Sequence, residues 1–261
     1  MRARGFTFIE LTVVIVILGI TAVTFTALIT NSVQGYLDTS NRQDSAAMAR
    51  IALDRLAREL REAMPQSVRV TNDKSCLQFL PINSSFVYTS VTIGSTSVQV
   101  VEPPGGYSVP TGSYYAAVYP ILASDLYSTI AMKSISSFGS VTNGLRTLTL
   151  SSAFTTIHNS PGERLYVVNN LAVSYCFTNN SLIRYTSAVS ATQTTPGAGL
   201  SNGAILIDKI SSDPLKPSTF SYQSGNWQNN ALVTIAFTIF QPSSNNETLQ
   251  FDHEVWLRNV Q

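Results

Sequence analysis

Met1-Arg2-Ala3-Arg4-Gly5-Phe6-Thr7-Phe8-Ile9-Glu10 opens the chain, and an uncharged run from Leu11 to Thr30 follows. At about 1.5 Å rise per residue, twenty helical residues reach roughly 30 Å, the thickness of a bilayer's hydrocarbon core. The run can therefore span a membrane. Arg2 and Arg4 precede it with no counter-charge before Glu10, so the positive-inside bias keeps the N-terminus in the cytoplasm and sends the remainder outward. Glu10 is the anomaly. A carboxylate in an apolar segment costs roughly 2.5 to 3.5 kcal/mol at mid-bilayer and less near its edge, so a residue of this kind usually has a function. An ordinary secretory signal would carry small residues after the apolar run, and Ala27 offers only a weak site of that sort.

Outward from this segment the pattern changes. No charged residue lies between Leu11 and Leu37, whereas ten Asp, Glu and Arg residues fall between Asp38 and Glu62. Ala49, Leu53, Leu56, Leu60 and Met64 recur at three- and four-residue steps, which predicts one apolar stripe on a helix over 42–64. Asp54 with Arg58, Arg55 with Glu59, and Arg58 with Glu62 stand one turn apart, each pair worth a few tenths of a kcal/mol on an exposed helix. Pro65 ends the element. If both segments are continuous, residues 6–64 form a rod of roughly 90 Å, apolar all round in its first half and amphipathic in its second. The bare half can leave lipid only where other apolar helices replace the lipid, so such a rod implies an assembly.

Beyond Glu62 charges thin out, and Ser, Thr, Asn, Gly and Tyr accompany segments rich in Val, Ile, Leu and Phe. Strands are expected at Cys76 to Ile82, Phe86 to Ile93, Ser97 to Val101, Tyr114 to Tyr119, Leu145 to Leu150, Arg164 to Val168, Leu171 to Phe177, Leu182 to Thr186, Leu232 to Phe240 and Leu249 to Leu257. Thr178-Asn179-Asn180-Ser181 reads as a hairpin turn, because Asn tolerates positive φ. The expected architecture is α+β, an antiparallel sheet laid against the amphipathic half of the helix. The 261 residues, 44% of them hydrophobic, suffice for a real core, and a net charge of +1 gives no basic excess for nucleic acid. Cys76 and Cys176 lack CxxC spacing, so a zinc or redox motif has little support. One disulfide in an exported domain is the simplest use; two buried thiols are the alternative.

Gly5-Phe6-Thr7-Phe8-Ile9-Glu10-Leu11 resembles the type IV prepilin signature, in which a short basic leader ends in Gly and the mature chain carries Glu as its fifth residue. The resemblance implies a type IV pilin fold and cleavage between Gly5 and Phe6 by prepilin peptidase, with methylation of the new amine at Phe6. It also implies pairing of that amine with Glu10 of a neighbouring subunit in the filament core, which would offset a costly buried charge. The implied division is a leader over 1–5, a transmembrane and filament-core helix over 6–30, its amphipathic continuation over 31–64, and a periplasmic β-rich domain over 65–261. Position 27 is Ala where many major pilins carry proline, so local melting there is not implied; Gly19 and Gly35 are the weaker loosening points, each costing about 1 kcal/mol relative to Ala.

The segments Leu56 to Ala63, Tyr175-Cys176-Phe177 to Leu182-Ile183-Arg184, and Val255-Trp256-Leu257-Arg258-Asn259 are similar to those of larger minor pilins. That group includes the J-type pseudopilins of type II secretion, PilW-type minor pilins and minor pilins of MSHA pili. It implies a non-enzymatic, low-copy subunit without cofactor that starts or caps a filament and supports adhesion. Its partners would be other major and minor pilins and the inner-membrane assembly platform, with the inner membrane as its first location and the extracellular pilus as its last. A secretion pseudopilin and a membrane-tethered periplasmic enzyme or binding module are the alternatives.

Other constellations carry less. Gly199-Leu200-Ser201-Asn202-Gly203 matches the hydrolase pattern G-x-S-x-G, with Asp208, Asp252 and His253 downstream, but a Thr, Gly, Pro loop precedes it and a short strand over Ala204 to Ile207 follows, where the elbow needs strand, turn and helix. His158 and His253 belong to no paired metal motif, and Asp252, His253 and Glu254 alternate faces of a strand. Asp208 and Asp213 are calcium candidates, outside any EF-hand pattern. Tyr114, Tyr115 and Tyr119 could form an aromatic patch, although strand tyrosines more often pack.

Overall fold

The computed structural model describes residues 7–109, 111–155, 158, 160–225, 229–241 and 247–257. Helix α1, Phe8–Arg61, runs unbroken for 54 residues, about 80 Å. Neither Gly19, Gly35 nor Ala27 interrupts it. It ends three residues before Met64 for a local reason. Residues preceding proline avoid the α region, and here Met64 N donates to Leu80 O at 2.7 Å while Ala63 bridges Pro81. Gln66 then turns the chain with φ +63°.

The strands that follow are β1 (Arg69–Val70), β2 (Cys76–Phe79), β3 (Ile82–Ser90), β4 (Ser97–Val101) and β5 (Tyr114–Val118). A short helix α2 (Ala123–Tyr127) leads to β6 (Met132–Thr142), β7 (Leu145–Leu150), β8 (Arg164–Asn169), β9 (Leu171–Thr178) and β10 (Ser181–Ala188). The chain continues through β11 (Thr195–Pro196), β12 (Gly199–Leu200), β13 (Ala204–Ile207), β14 (Thr219–Gln223), β15 (Ala231–Phe240) and β16 (Thr248–Leu257). Asn179 and Asn180 take φ of +49° and +56° between β9 and β10, the left-handed pair that a two-residue hairpin requires.

These strands make two bodies instead of one sheet. The first holds a five-stranded antiparallel sheet in the order β1-β2-β9-β10-β13 and a three-stranded sheet β14-β15-β16, both on the C-terminal half of α1. Ala49, Ala52, Leu53, Leu56, Ala57 and Leu60 enter its core with Phe79, Tyr175, Phe220, Val233, Ile235 and Phe237. The expected stripe is thus buried, and each leucine contributes about 1.5 to 3 kcal/mol. The second body is a closed barrel, β3-β4-β7-β6-β5-β8, with a core including Phe86, Val100, Tyr114, Leu148 and Val167.

Met64 belongs to neither. With Leu80, Leu126, Tyr127, Met132 and Tyr166 it forms a joint between the C-terminal end of α1 and the barrel, so the barrel hangs from the helix end opposite the apolar run. Strand β6 was not expected. Its sequence, Met-Lys-Ser-Ile-Ser-Ser-Phe-Gly-Ser-Val-Thr, lacks clean alternation because its pairing with β7 shifts register twice.

One expectation about α1 is corrected. Of the three charge pairs anticipated on its exposed face, only Arg55–Glu59 forms an ion pair, at 3.1 Å. Glu59 also receives Arg184 from β10, at 2.9 Å, and this longer-range partner holds the carboxylate on that side of the helix.

Candidate functional site

From Phe8 to Leu37 no residue of α1 is buried. Phe8, Ile9, Ile20, Val23 and Phe25 are between 62% and 82% exposed, and an 18-residue window of the helix has a mean hydropathy of 2.5. Water cannot tolerate so continuous an apolar surface, so it must lie in lipid or against other apolar helices. Its threonine and serine hydroxyls are adapted to either setting. The hydroxyls of Thr12, Thr21, Thr24, Thr26, Thr30, Ser32 and Thr39 all donate to carbonyls one turn back, at 2.8 to 3.2 Å. None needs water or a partner chain for its hydrogen bond.

Among the described residues from 7 to 37, Glu10 is the only one that carries a charge at neutral pH. It sits in the first turn of α1, where the unpaired backbone N–H groups favour a negative charge. Among the described residues of one chain it finds no cationic partner. The folded domain takes hold of the helix at Asn41 and Arg42: Gln241 Nε2 donates to Asn41 O at 3.5 Å, and Arg42 pairs with Glu247. The described part of the helix N-terminal to that clasp projects from the domain for about 50 Å.

Residues 1–26 match the family model described as the prokaryotic N-terminal methylation motif. The N-terminus is of the prepilin type. The match supports a type IV pilin-like protein, and the long apolar helix followed by antiparallel sheets is consistent with the α+β type IV pilin fold. No curated protein matches the chain, and no solved structure does. Gly5 and Phe6, the cleavage and methylation positions, lie outside the described residues.

Elsewhere, Cys76 and Cys176 are joined by a disulfide across directly paired positions of β2 and β9. Asp213 lines a cleft between the β9–β10 turn and the loop before β14, while Asp208 does not line it. Among the described residues no three His, Cys, Asp or Glu side chains are placed to hold a metal ion. Ser201 is exposed between β12 and β13, with a strand and no helix after it, so the nucleophile-elbow geometry is missing. His253 lies on the face of β16 shared with Val255, and Asp252 and Glu254 on the other, exposed face. Tyr114 is buried in the barrel core, with Tyr115 and Tyr119 packed against buried clusters, so these tyrosines serve packing.

Sequence reasoning missed Arg69. It donates to Gln78 Oε1 and to the carbonyls of Ser190 and Ala191, and its guanidinium lies 3.5 Å from the centre of the Tyr127 ring. Burial pulls its pKa below the ordinary arginine value. No local pattern marks such a residue, because its partners lie 9 to 122 positions away.

Proposed function

We propose that this chain is a non-enzymatic minor pilin that helps to initiate or cap a type IV filament of the MSHA kind, after removal of residues 1–5 by prepilin peptidase. The observation that carries the reading is Glu10, a lone carboxylate in the first turn of a bare apolar helix, in a chain whose residues 1–26 match the methylation motif. Cleavage at Gly5 frees an ammonium at Phe6. In a bundle of such helices that cation can meet Glu10 of a neighbour, so the pair enters an apolar core with less electrostatic penalty than either charge alone.

The barrel supports a place at the top of the stack. It adds bulk beyond the C-terminal end of α1, the end remote from the membrane, where a subunit in mid-filament would meet the subunits above it. Other major and minor pilins and the inner-membrane assembly platform are the partners, with the folded domain periplasmic until assembly carries it outside.

The mass of the mature protein tests processing: it should begin at Phe6 with one added methyl group. Glu10→Val should leave membrane insertion intact and remove the protein from sheared filaments, and Gly5→Ala should block cleavage. A native chain that retains residues 1–5, or filaments unaffected by both changes, would sink the proposal. Lost secretion of a folded protein without lost pili would instead mark a pseudopilin.

A further inference from the structure

At the end of the domain where α1 emerges, the loop from Lys209 to Ser218 is tied to both sheets. Ile210 N donates to Asn180 O and Ser211 N to Thr238 O, each at 2.7 Å, and Phe240 N donates to Lys209 O at 2.8 Å. This strap and the β9–β10 turn enclose an open cleft of about 280 Å³, room for one sugar ring and near the lower size of small-molecule sites. Backbone bonds hold both walls, so the cleft is formed before any ligand arrives.

Its lining has a consistent chemistry. Phe177, stacked on Phe220 at 4.6 Å between ring centres, gives one aromatic wall, and Pro214 and Pro217 give further apolar surface. Among the described residues that line it, Asp213 has the one charged side chain and none is a cation. One Asp213 oxygen accepts from Leu215 N at 2.9 Å; the other has no partner among the described residues. The carboxamides of Asn179 and Asn180 and the hydroxyls of Ser212 and Ser218 likewise make no hydrogen bond among the described residues, and the Ser218 hydroxyl is enclosed. Unused donors and acceptors thus surround an apolar wall, an arrangement that suits a ligand with hydroxyls on its rim and C–H groups on its face.

We infer that this cleft binds a neutral pyranose sugar, its ring face on Phe177 and its hydroxyls on Asn179, Asn180 and Asp213. The site is separate from the apolar helix and stands whether or not the filament reading does. An anionic ligand would meet the Asp213 carboxylate in the wall, with Lys209 and Lys216 of the strap outside the lining, and a hard cation would find one carboxylate where such sites usually supply several.

The test is titration of the full-length protein in detergent micelles with glucose, galactose, mannose and N-acetylglucosamine, followed by saturation-transfer NMR, with calcium chloride as a separate arm. At least one sugar should bind with a dissociation constant below about 10 mM. The double variant Asn179→Gly, Asn180→Gly keeps the left-handed turn available, and Asp213→Asn keeps an acceptor for Leu215 N; each should weaken binding about tenfold, the worth of one lost hydrogen bond. Unchanged unfolding temperatures would show that the variants fold. Absence of binding by all four sugars, binding indifferent to both variants, or stabilisation by calcium alone would overturn the assignment.

Discussion

Arg184 of β10 donates through one guanidinium nitrogen to both carboxylate oxygens of Glu59 on α1, at 3.1 and 2.9 Å, across 125 positions of sequence. Glu59 also accepts from Arg55 one helical turn back. The carboxylate therefore ties the helix to the β9–β10 hairpin. Glu59→Gln should cost about 1 to 2 kcal/mol, more than a surface pair, because both Glu59 and Arg184 are largely enclosed. Arg55→Ala, on the exposed side, should cost under about 0.5 kcal/mol. Equal losses for the two variants, read from thermal unfolding, would show that the helix-to-sheet tie carries no special weight.

Tyr175 lies beneath this pair, fully buried, its ring stacked on Phe79 and its hydroxyl beside Glu59 without a well-formed hydrogen bond. Burial pushes the hydroxyl's pKa up, and the Glu59 charge adds to that rise. Removing an unsatisfied buried hydroxyl is neutral or favourable, so Tyr175→Phe should leave stability unchanged or raise it by up to about 1 kcal/mol. A loss comparable to that of Glu59→Gln would mean that the hydroxyl does bond to the carboxylate.

In the barrel, Glu102 grips Arg146 at 2.7 and 2.8 Å and accepts from Tyr107 N at 2.6 Å. The Arg146 hydrogen bonds hold the Glu102 carboxyl below its ordinary value. A depressed carboxylate stabilises above its unfolded pKa, near 4.3, and that contribution fades as pH falls through the lower folded value. Asp73, depressed by the hydroxyls of Thr71 and Ser75, acts in the same window. Unfolding temperature should therefore drop below about pH 4, and Glu102→Gln should flatten the barrel's share of that slope. An identical acid slope in the variant would remove Glu102 from the account.

The Cys76–Cys176 disulfide closes a loop of 100 residues that contains the whole barrel. On the chain-entropy view a loop of that length is worth about 4.7 kcal/mol, so Cys76→Ala with Cys176→Ala should lower the unfolding temperature by several degrees. A reductant should do the same to the native protein and nothing to the variant.

A Cβ built on Gly19 meets no atom within 4 Å. Gly19→Ala should therefore leave the isolated subunit unharmed and strengthen α1 by about 1 kcal/mol. Any assembly defect, scored as protein lost from filaments, would report close approach of a neighbouring helix at this point.

Much of this was legible in the chain because it depends on neighbours in sequence. The apolar run from Leu11, the stripe from Ala49 to Leu60 and the Asn179-Asn180 turn are consequences of bilayer thickness, the 3.6-residue period and the tolerance of Asn for positive φ. Strands β4 and β7 were expected at their observed limits, since side chains at alternate positions share a face. The failures have a common cause. Strand β6 is paired through two register shifts, and β14 lies among serines, so neither shows a pattern before its partner is in place.

What the sequence alone determined was an insertable helix with a processing motif, an amphipathic continuation and a β-rich domain, all set by local periodicity and side-chain chemistry. Tertiary structure decided that the strands divide into sheets around α1 and a closed barrel beyond its end. It also decided that Glu59 binds Arg184 and that Arg69 serves a buried network. Those outcomes depend on pairings such as β3 with β8, whose hydrogen bonds join residues some eighty positions apart. Such pairings become favourable only once the intervening chain has folded and offset the entropy of closing the loop.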